Sequence, residues 1–189
     1  TFYIFCFEMD EKNVIFTTSF FNLGKWKCKS PENYLNWFEM MCQTGIYIVV
    51  YTSGCYYDAV KSIADRYANV LLVMQLELDD LQVAKWIVQR GSDIKLPETR
   101  NTAKDTIPYL ACMNSKIELL AQTMEYGING VIPRASNYVW LDFGIFHILK
   151  DPNTSSRKLQ QIAENTYANG FIAFPGCWRT DWICDIDNA

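Results

Sequence analysis

Short apolar runs alternate with amphipathic helical segments through the first 140 residues, and this order restricts the possible folds more than any other feature of the chain. The apolar runs are bounded by turn residues and predict strands that are buried on both faces. They occupy residues 1–9, 14–21, 46–52 and 70–78. Strands that alternate with helices predict an α/β fold, with a mostly parallel central sheet and helices on both faces.

Residues with known positional preferences mark the helix boundaries. Ser30 and Pro31 are typical of a helix start, and Gly45 is typical of the residue after a helix end. Ser115 and Glu118 have the spacing of a capping box, which predicts that a helix begins there. The residues expected to face the core from this helix are Ile117, Leu120, Ala121 and Met124.

Length and composition restrict the class of protein. A chain of 189 residues is expected to form one domain over residues 1–189, and its start at Thr1 leaves open that it is a fragment of a longer protein. The net charge of -4 and the scattered basic residues argue against a nucleic-acid-binding face. Seven cysteines without a C-x-x-C pair predict reduced thiols in a cytoplasmic protein. No run approaches the roughly 18 apolar residues of a membrane span.

The apolar and aromatic stretch from Asn137 to His147 is expected to be a buried strand that ends at Asp142. A buried carboxylate without a partner costs several kcal/mol. This side chain is therefore expected either to cap the next turn or to hold a cation or ligand. In open α/β sheets, ligands bind just beyond the carboxyl ends of the strands. The sequence thus predicts a ligand site at Asp142.

Three stretches of the sequence resemble a known family. They are residues 14–22 followed by Lys25, residues 109–120 with the Asn-Ser-Lys element that ends at Lys116, and residues 140–147 with the Trp-Leu-Asp-Phe-Gly element. Together they resemble the HtrL/YibB and WlaTC group of bacterial glycosyltransferases, and the N-terminal glycosyltransferase domain of the chlorella-virus capsid-glycosylating protein. The resemblance covers most of the chain, and its most specific part is the Trp-Leu-Asp-Phe-Gly element with the upstream Asn-Ser-Lys.

The resemblance implies a GT-A-like fold that binds a nucleotide-sugar donor, with a UDP-sugar favoured, and a divalent metal, Mn²⁺ or Mg²⁺. The implied reaction is transfer of a hexose to a hydroxyl of a glycan or glycoprotein acceptor, such as a viral capsid glycan. A viral member of this group would act in the host cytoplasm.

Enzymes with a GT-A fold usually present Asp-x-Asp at the metal, whereas this chain has Asp142 followed by Gly144 in the third position. Asp142 and His147 are expected to hold the metal, through oxygen and imidazole nitrogen ligands, although a structural role in the core or at the surface is the equal alternative for His147. Asp142 and Gly144 are also expected to contact the donor, since glycine lets the backbone approach a ribose or phosphate closely. Lys25 and Lys116 are expected to contact the diphosphate, Lys116 from a helix N-terminus that favours anions.

Two further groups of residues lie at the carboxyl ends of predicted strands. The first offers hydroxyls and one aromatic ring from adjacent strands, and with the resemblance it is expected to bind the base and ribose of the donor; β-propensity is the alternative reason for these residue types. It consists of Thr17, Thr18, Ser19, Tyr51, Thr52 and Ser53. The second is Asp79 and Asp80, which are expected either to act as catalytic residues at the transferred sugar or to cap the following helix.

The C-terminal residues offer further candidates. Asp185 and Asp187 form a literal Asp-x-Asp without a preceding strand, which is typical of a solvated tail. Trp178 and Trp182 suit either an acceptor-sugar site or core packing. The missing second aspartate after Asp142 keeps open a catalytically degenerate nucleotide- or sugar-binding module. A dinucleotide-dependent oxidoreductase is disfavoured, because no G-x-G-x-x-G follows a strand.

Overall fold

A computed structural model describes residues 12–24, 29–90, 98–99, 106–149 and 151–165. Its strands are β1 (Lys12–Phe20), β2 (Ile48–Thr52), β3 (Val70–Gln75) and β4 (Ala135–Trp140). Its α-helices are α1 (Pro31–Gln43), α2 (Gly54–Ala64), α3 (Gln82–Arg90), α4 (Ile107–Asn114), α5 (Lys116–Ile128) and α6 (Pro152–Glu164). Two short 3₁₀ turns, Leu78–Asp80 and Ile145–His147, follow β3 and β4.

The four strands form one sheet in the order β3-β2-β1-β4, and every neighbouring pair is parallel. Successive residues of a strand point to opposite faces of the sheet, so β1 contributes to two separate cores. Phe16 packs on one face with Phe38 of α1 and Leu159 of α6, and Ile15 packs on the other face with Leu119 of α5. These layers confirm the predicted α/β fold with a parallel central sheet and helices on both faces.

The predicted strands are confirmed in position but differ at their ends. The run predicted at residues 14–21 is β1, the run at 46–52 is β2, and the strand predicted at 1–9 lies outside the described residues. The run at 70–78 is strand only to Gln75, because the chain then turns into the 3₁₀ turn. Glu77 and Asp80 stabilise that turn by capping each other's backbone N–H groups.

The predicted start and end of α1 are confirmed. Ser30 precedes the helix with extended backbone, Pro31 opens it, and the backbone N–H of Thr44 bonds the carbonyl of Met41 at its end. Gly45 follows with φ of +79°, in the left-handed region that favours glycine.

The capping box predicted at Ser115 and Glu118 is wrong. Ser115 has helical dihedral angles, and its N–H and its hydroxyl both donate to the carbonyl of Ala111, so its hydroxyl does not cap α5, although α5 begins at Lys116 as predicted. The Glu118 carboxylate instead accepts hydrogen bonds from the backbone N–H groups of Gln82 and Val83, at 2.7 and 3.0 Å. It thus caps α3, a helix 35 residues away in sequence, because tertiary packing brings the two helices together.

The face predicted to bury α5 is also wrong. Ile117 and Met124 are 60% and 44% exposed, whereas Leu119, Thr123 and Gly127 form the buried side of the helix. Thr123 is polar and Gly127 has no side chain, so the spacing of apolar residues along α5 predicted the wrong side of the helix to be buried. Thr123 is satisfied by a 3.0 Å hydrogen bond between its hydroxyl and that of Tyr51.

Two composition-based expectations concern residues that the structure describes in part. Cys42, Cys55 and Cys112 are free thiols, and the other four cysteines lie outside the described residues. Within the described ranges, none of the helices combines the length and apolar character that crossing a membrane requires.

Removing the carboxylate that caps α3 is expected to destabilise the protein. Glu118→Ala should lower the free energy of unfolding by about 1 kcal/mol, as loss of an N-cap typically does, because two N–H groups lose their acceptor. Glu118→Gln retains one acceptor oxygen and should lose less. Urea denaturation measures both.

Glu125→Ala, which removes an exposed carboxylate from the same helix, is the control and should change stability by less than about 0.5 kcal/mol. Equal losses at the two positions would contradict the capping role.

Candidate functional site

The order of the strands contains a switch point between β1 and β4. From β1 the chain moves to β2 and β3 on one side, and it then returns to add β4 on the other side of β1. The direction of winding therefore reverses between β1 and β4. In open α/β sheets the crevice outside such a switch point is the usual ligand site. Asp142 follows β4 by two residues and lies at this edge.

Asp142 forms a compact polar group with Lys116 and Trp140. The Nζ of Lys116 and the indole Nε1 of Trp140 both donate to Oδ1 of Asp142, each at 2.7 Å. Among the described residues, none donates a hydrogen bond to Oδ2. The Asp142 side chain is 58% exposed and that of Lys116 is 21% exposed. The expectation of a buried carboxylate is therefore wrong, because Asp142 stands at the surface with one oxygen paired and the other open.

The surroundings of Asp142 favour its charged form. Partial burial raises the pKa of this carboxyl, but the hydrogen bonds from Lys116 and Trp140, the charge of Lys116 and that of His147 outweigh it and leave the pKa below its usual value. Cys112 lies close enough to sense the charges of Lys116 and Asp142, and burial raises the pKa of its thiol to about 11. Asp142 is thus an anion at neutral pH, while Cys112 is a neutral thiol.

Strand pairing and helix packing position the three members of this group. Trp140 is the last residue of β4 and lies opposite Thr17 of β1, and the next backbone N–H, that of Leu141, donates to the carbonyl of Thr17 at 2.9 Å. Lys116 opens α5, and its Nζ lies 5.4 Å from the centre of the Trp140 ring. The Trp140 indole was not predicted as a partner of Asp142. Its position two residues before the carboxylate, on an edge strand, is the sequence signal that could have found it.

Gly144 and His147 are held by aromatic packing. A Cβ added at Gly144 would lie 2.8 Å from the ring of Tyr34, so protein packing by itself favours glycine at this position. The Nδ1 of His147 lies 2.7 Å from the carbonyl oxygen of Gly144, and its ring packs on Trp37 with centroids 5.4 Å apart. The expected contact of Gly144 with a ribose or phosphate stays a prediction.

Asp142 and His147, the two predicted metal ligands, both lie among the described residues. The open Oδ2 of Asp142 and the imidazole of His147 are two ligand groups, and Mg²⁺ typically combines one or two carboxylates with substrate phosphates and water. No cluster of three or more His, Cys, Asp or Glu side chains that could hold a metal occurs in the described part of the chain. With these two protein groups as ligands, a cation would need phosphate oxygens or water to complete its coordination shell.

The predicted base and ribose pocket is corrected by burial. Thr17, Thr18, Tyr51 and Thr52 have no exposed surface, so these side chains cannot contact a donor in this structure. Tyr51 cannot serve as a stacking platform, because its ring lies in the core. The hydroxyls of Thr17 and Thr18 are buried without a hydrogen-bond partner. Thr17 and Thr18 lie inside β1, which continues to Phe20, and the apolar pattern does not show which hydroxyls the helices cover.

Two of the remaining hydroxyls tie strand ends together. The Thr52 hydroxyl donates to the carbonyl of Phe20 at 3.0 Å, and the Oγ of Ser53 accepts from the backbone N–H of Asn22 at 3.0 Å. Ser53 is 1% exposed, whereas Ser19 is half-buried. These contacts hold the ends of β1 and β2 in register at the edge where a ligand would bind.

Asp79 and Asp80 lie away from Asp142. They form part of the 3₁₀ turn after β3, and the order of the sheet places three strand spacings, roughly 14 Å, between β3 and β4. Neither caps α3, since Glu118 does. No sequence pattern pointed to Glu77, whose carboxylate accepts the backbone N–H of Gly54 at 2.6 Å and occupies the N-terminus of α2.

Several candidates lie outside the described residues. They are Lys25, Trp178, Trp182, Asp185 and Asp187. Of the donor-binding residues predicted on separate stretches, the structure brings together Lys116 and Asp142.

No protein-family model matches the chain, and neither the curated proteins nor the solved structures contain a significant match.

The Lys116–Asp142 pair predicts how stability depends on pH. Asp142→Asn should lower the free energy of unfolding by less than about 1 kcal/mol near neutral pH, because the pair is exposed and screened by solvent. The folded pKa of Asp142 is lowered, so its contribution is present above the unfolded value of about 3.9 and is lost as pH falls through the folded pKa.

Denaturation of the parent protein and the variant from about pH 8 to about pH 3 measures this effect. The difference in unfolding free energy should stay constant at neutral pH and shrink once pH falls below the unfolded pKa. Lys116→Met in both backgrounds closes a double-mutant cycle that isolates the pair. A difference that grows as pH falls would contradict this account.

Proposed function

We propose that this chain is the donor-binding domain of a glycosyltransferase that moves a hexose from a UDP-sugar to a hydroxyl of a glycan or glycoprotein. The observation that supports the proposal most strongly is the Lys116–Asp142 pair, with one carboxylate oxygen open, at the switch point of a parallel sheet. A nucleotide-sugar carries a diphosphate, and this edge is where parallel sheets bind such ligands.

Lys116 is the group that would bind the diphosphate. Its ammonium is a strong donor held close to the edge by Asp142 and by the face of Trp140. A phosphate oxygen would compete with Oδ1 of Asp142 for this ammonium. Hydrogen bonds to a charged group contribute about 1.5–3 kcal/mol, so Lys116 is expected to supply a large part of the affinity for the nucleotide.

Asp142 and His147 are the residues that would hold a divalent cation beside the diphosphate. Such a cation, when bound, neutralises phosphate charge and stabilises the departing nucleotide as a Lewis acid. The lowered pKa of Asp142 keeps its carboxylate charged and ready to coordinate. Because Lys116 and Trp140 both donate to Oδ1, the Oδ2 atom is the oxygen available to a cation.

The nucleoside would contact the segment that follows β1. Strand side chains are covered by the two cores, whereas Asn22 and Gly24 lie nearer the surface just beyond the strand end. Asn22 forms a local turn through its side-chain oxygen, which accepts the N–H of Gly24 at 3.0 Å. The assignment of Asp79 and Asp80 as catalytic stays a prediction, and the geometry gives them no contact with the diphosphate site.

Variants of the pair should separate nucleotide binding from metal dependence. Lys116→Met is expected to weaken UDP-sugar binding without metal by about tenfold or more, because a charged hydrogen bond is lost. Asp142→Asn should retain metal-free binding but lose the gain that Mn²⁺ gives to the parent. Calorimetric titration with UDP-glucose, with and without Mn²⁺, measures both effects. Release of UDP measures turnover.

The chain offers a matched control in a second lysine–aspartate pair. Lys61 and Asp65 form an exposed ion pair on α2, and Lys61→Met and Asp65→Asn should leave binding unchanged. Binding without UDP release, by the parent chain, would favour the degenerate binding module over the enzyme. Absence of UDP-sugar binding, or equal losses from the two lysine variants, would overturn the proposal.

A further inference from the structure

The outer face of α5 carries a continuous apolar stripe that points away from the core. Ile117 is 60% exposed, Met124 is 44% exposed and Ile128 is 60% exposed, and Ala121 between them is also exposed. The opposite side of α5 is buried at Leu119 and Thr123, which have no exposed surface, and this fixes the orientation of the helix. Met113 near the end of α4 and Val131 beyond the end of α5 are exposed as well, at 38% and 56%.

The spacing of the stripe is that of a helix-packing seam. Its residues follow at intervals of four, three and four along α5, from Ile117 to Ile128. This alternation keeps apolar side chains on one line along a helix, as the a and d positions do in coiled coils. Such a stripe on a helix normally meets another helix, since exposed apolar residues on a soluble surface are usually scattered.

The size of the stripe suits an interface of modest area. Five large apolar residues on and next to α5 are each 38% to 60% exposed: Met113, Ile117, Met124, Ile128 and Val131. Together they present roughly several hundred Å² of apolar surface, and patches of this size are often functional. Two such faces with their polar rims approach the roughly 1,200 Å² at the lower end of specific interfaces. A weak dimer is the association that this area supports.

We propose that the α5 stripe is a homodimer interface in which α5 packs antiparallel against α5 of a second copy. A two-fold axis between residues 122 and 123 sets Ile117 opposite Ile128 of the second copy, and Ala121 opposite Met124. Each apolar residue thus meets an apolar residue without any change in register. Dimers of identical chains require self-complementary surfaces of this kind.

Side-chain size supports the same register. Ala121 is the smallest member of the stripe and would face Met124, which is unbranched and fills irregular gaps. A large residue opposite a small one lets two helices approach closely and interdigitate. The exposed Glu125 borders the stripe on one side, and charged groups at the rim with apolar groups at the centre are typical of interfaces.

The pairing would affect the candidate site without depending on its function. Lys116 directly precedes Ile117 on α5. The register places the second copy's α5 end, at Ile128, beside Ile117 and therefore close to the rim of the diphosphate site. The dimer can exist whether or not the chain binds a nucleotide-sugar, so failure of one proposal is distinguishable from failure of the other.

Sedimentation of the full chain from about 1 to about 200 µM, a range that covers weak complexes, tests the proposal. The parent should shift from monomer towards dimer across this range. Ile128→Glu should weaken the association by at least about tenfold, because it places a charge opposite Ile117. Ile148→Glu is the matched control, since Ile148 is similarly exposed, at 59%, outside the stripe, and it should leave the association unchanged.

A charge pair tests the register itself. Ala121→Glu and Met124→Lys should each abolish self-association. A mixture of the two variants should dimerise, because the antiparallel register sets the carboxylate introduced in one copy against the ammonium introduced in the other. The second contact across the axis, between the unchanged Met124 of the first variant and the unchanged Ala121 of the second, stays native. Thermal unfolding of each variant confirms that it is folded, as expected for exposed positions.

Three results would overturn the proposal. They are a parent chain that stays monomeric throughout the concentration range, equal effects of Ile128→Glu and Ile148→Glu, and failure of the mixed charge variants to associate. If the two helices paired in parallel or in a shifted register, each single variant would lose self-association and the mixture would not recover it.

Discussion

Hydrogen bonding of β1 on both of its edges is the constraint on which the rest of the structure depends. β1 pairs in parallel with β2 on one side and with β4 on the other, and its residues from Val14 to Thr18 are buried. A central parallel strand requires apolar contacts on both faces, so the two layers of helices follow from it. The winding of the chain reverses between β1 and β4, and Asp142 follows β4 at this switch point.

Carboxylates from distant elements complete the helix termini in this fold. Glu118 of α5 caps α3, and Glu77 after β3 caps α2. Each satisfies backbone N–H groups that a helix leaves without a partner, and each therefore joins two elements as well as ending one. The carboxylate of Asp142 differs from these two. It accepts side-chain donors, remains largely exposed and keeps one oxygen open.

The candidate site combines a fixed and an adaptable part. Trp140 is fixed by strand pairing at the end of β4, and Asp142 follows it after a single residue. Lys116 reaches the same carboxylate from α5 through a long side chain that can exchange one anion for another. An ion pair whose carboxylate is largely exposed is screened by solvent and contributes little to stability. The open oxygen and the nearby ammonium therefore matter more for ligand binding than for holding the fold.

The sequence by itself determined the order of strands and helices along the chain, the ends of α1 and the parallel sheet, because these depend on local apolar runs and on turn residues. It also selected Asp142 and Lys116, although their contact is a matter of packing. The tertiary structure decided the rest. It buried Thr17, Thr18, Tyr51 and Thr52, since the helices on the two faces of the sheet cover β1 and β2 up to these residues. It turned the apolar side of α5 outward, because Gly127 and Thr123 let the helix pack closely against the sheet. It also brought Glu118 to α3, and such contacts between residues far apart in sequence leave no local pattern from which to predict them.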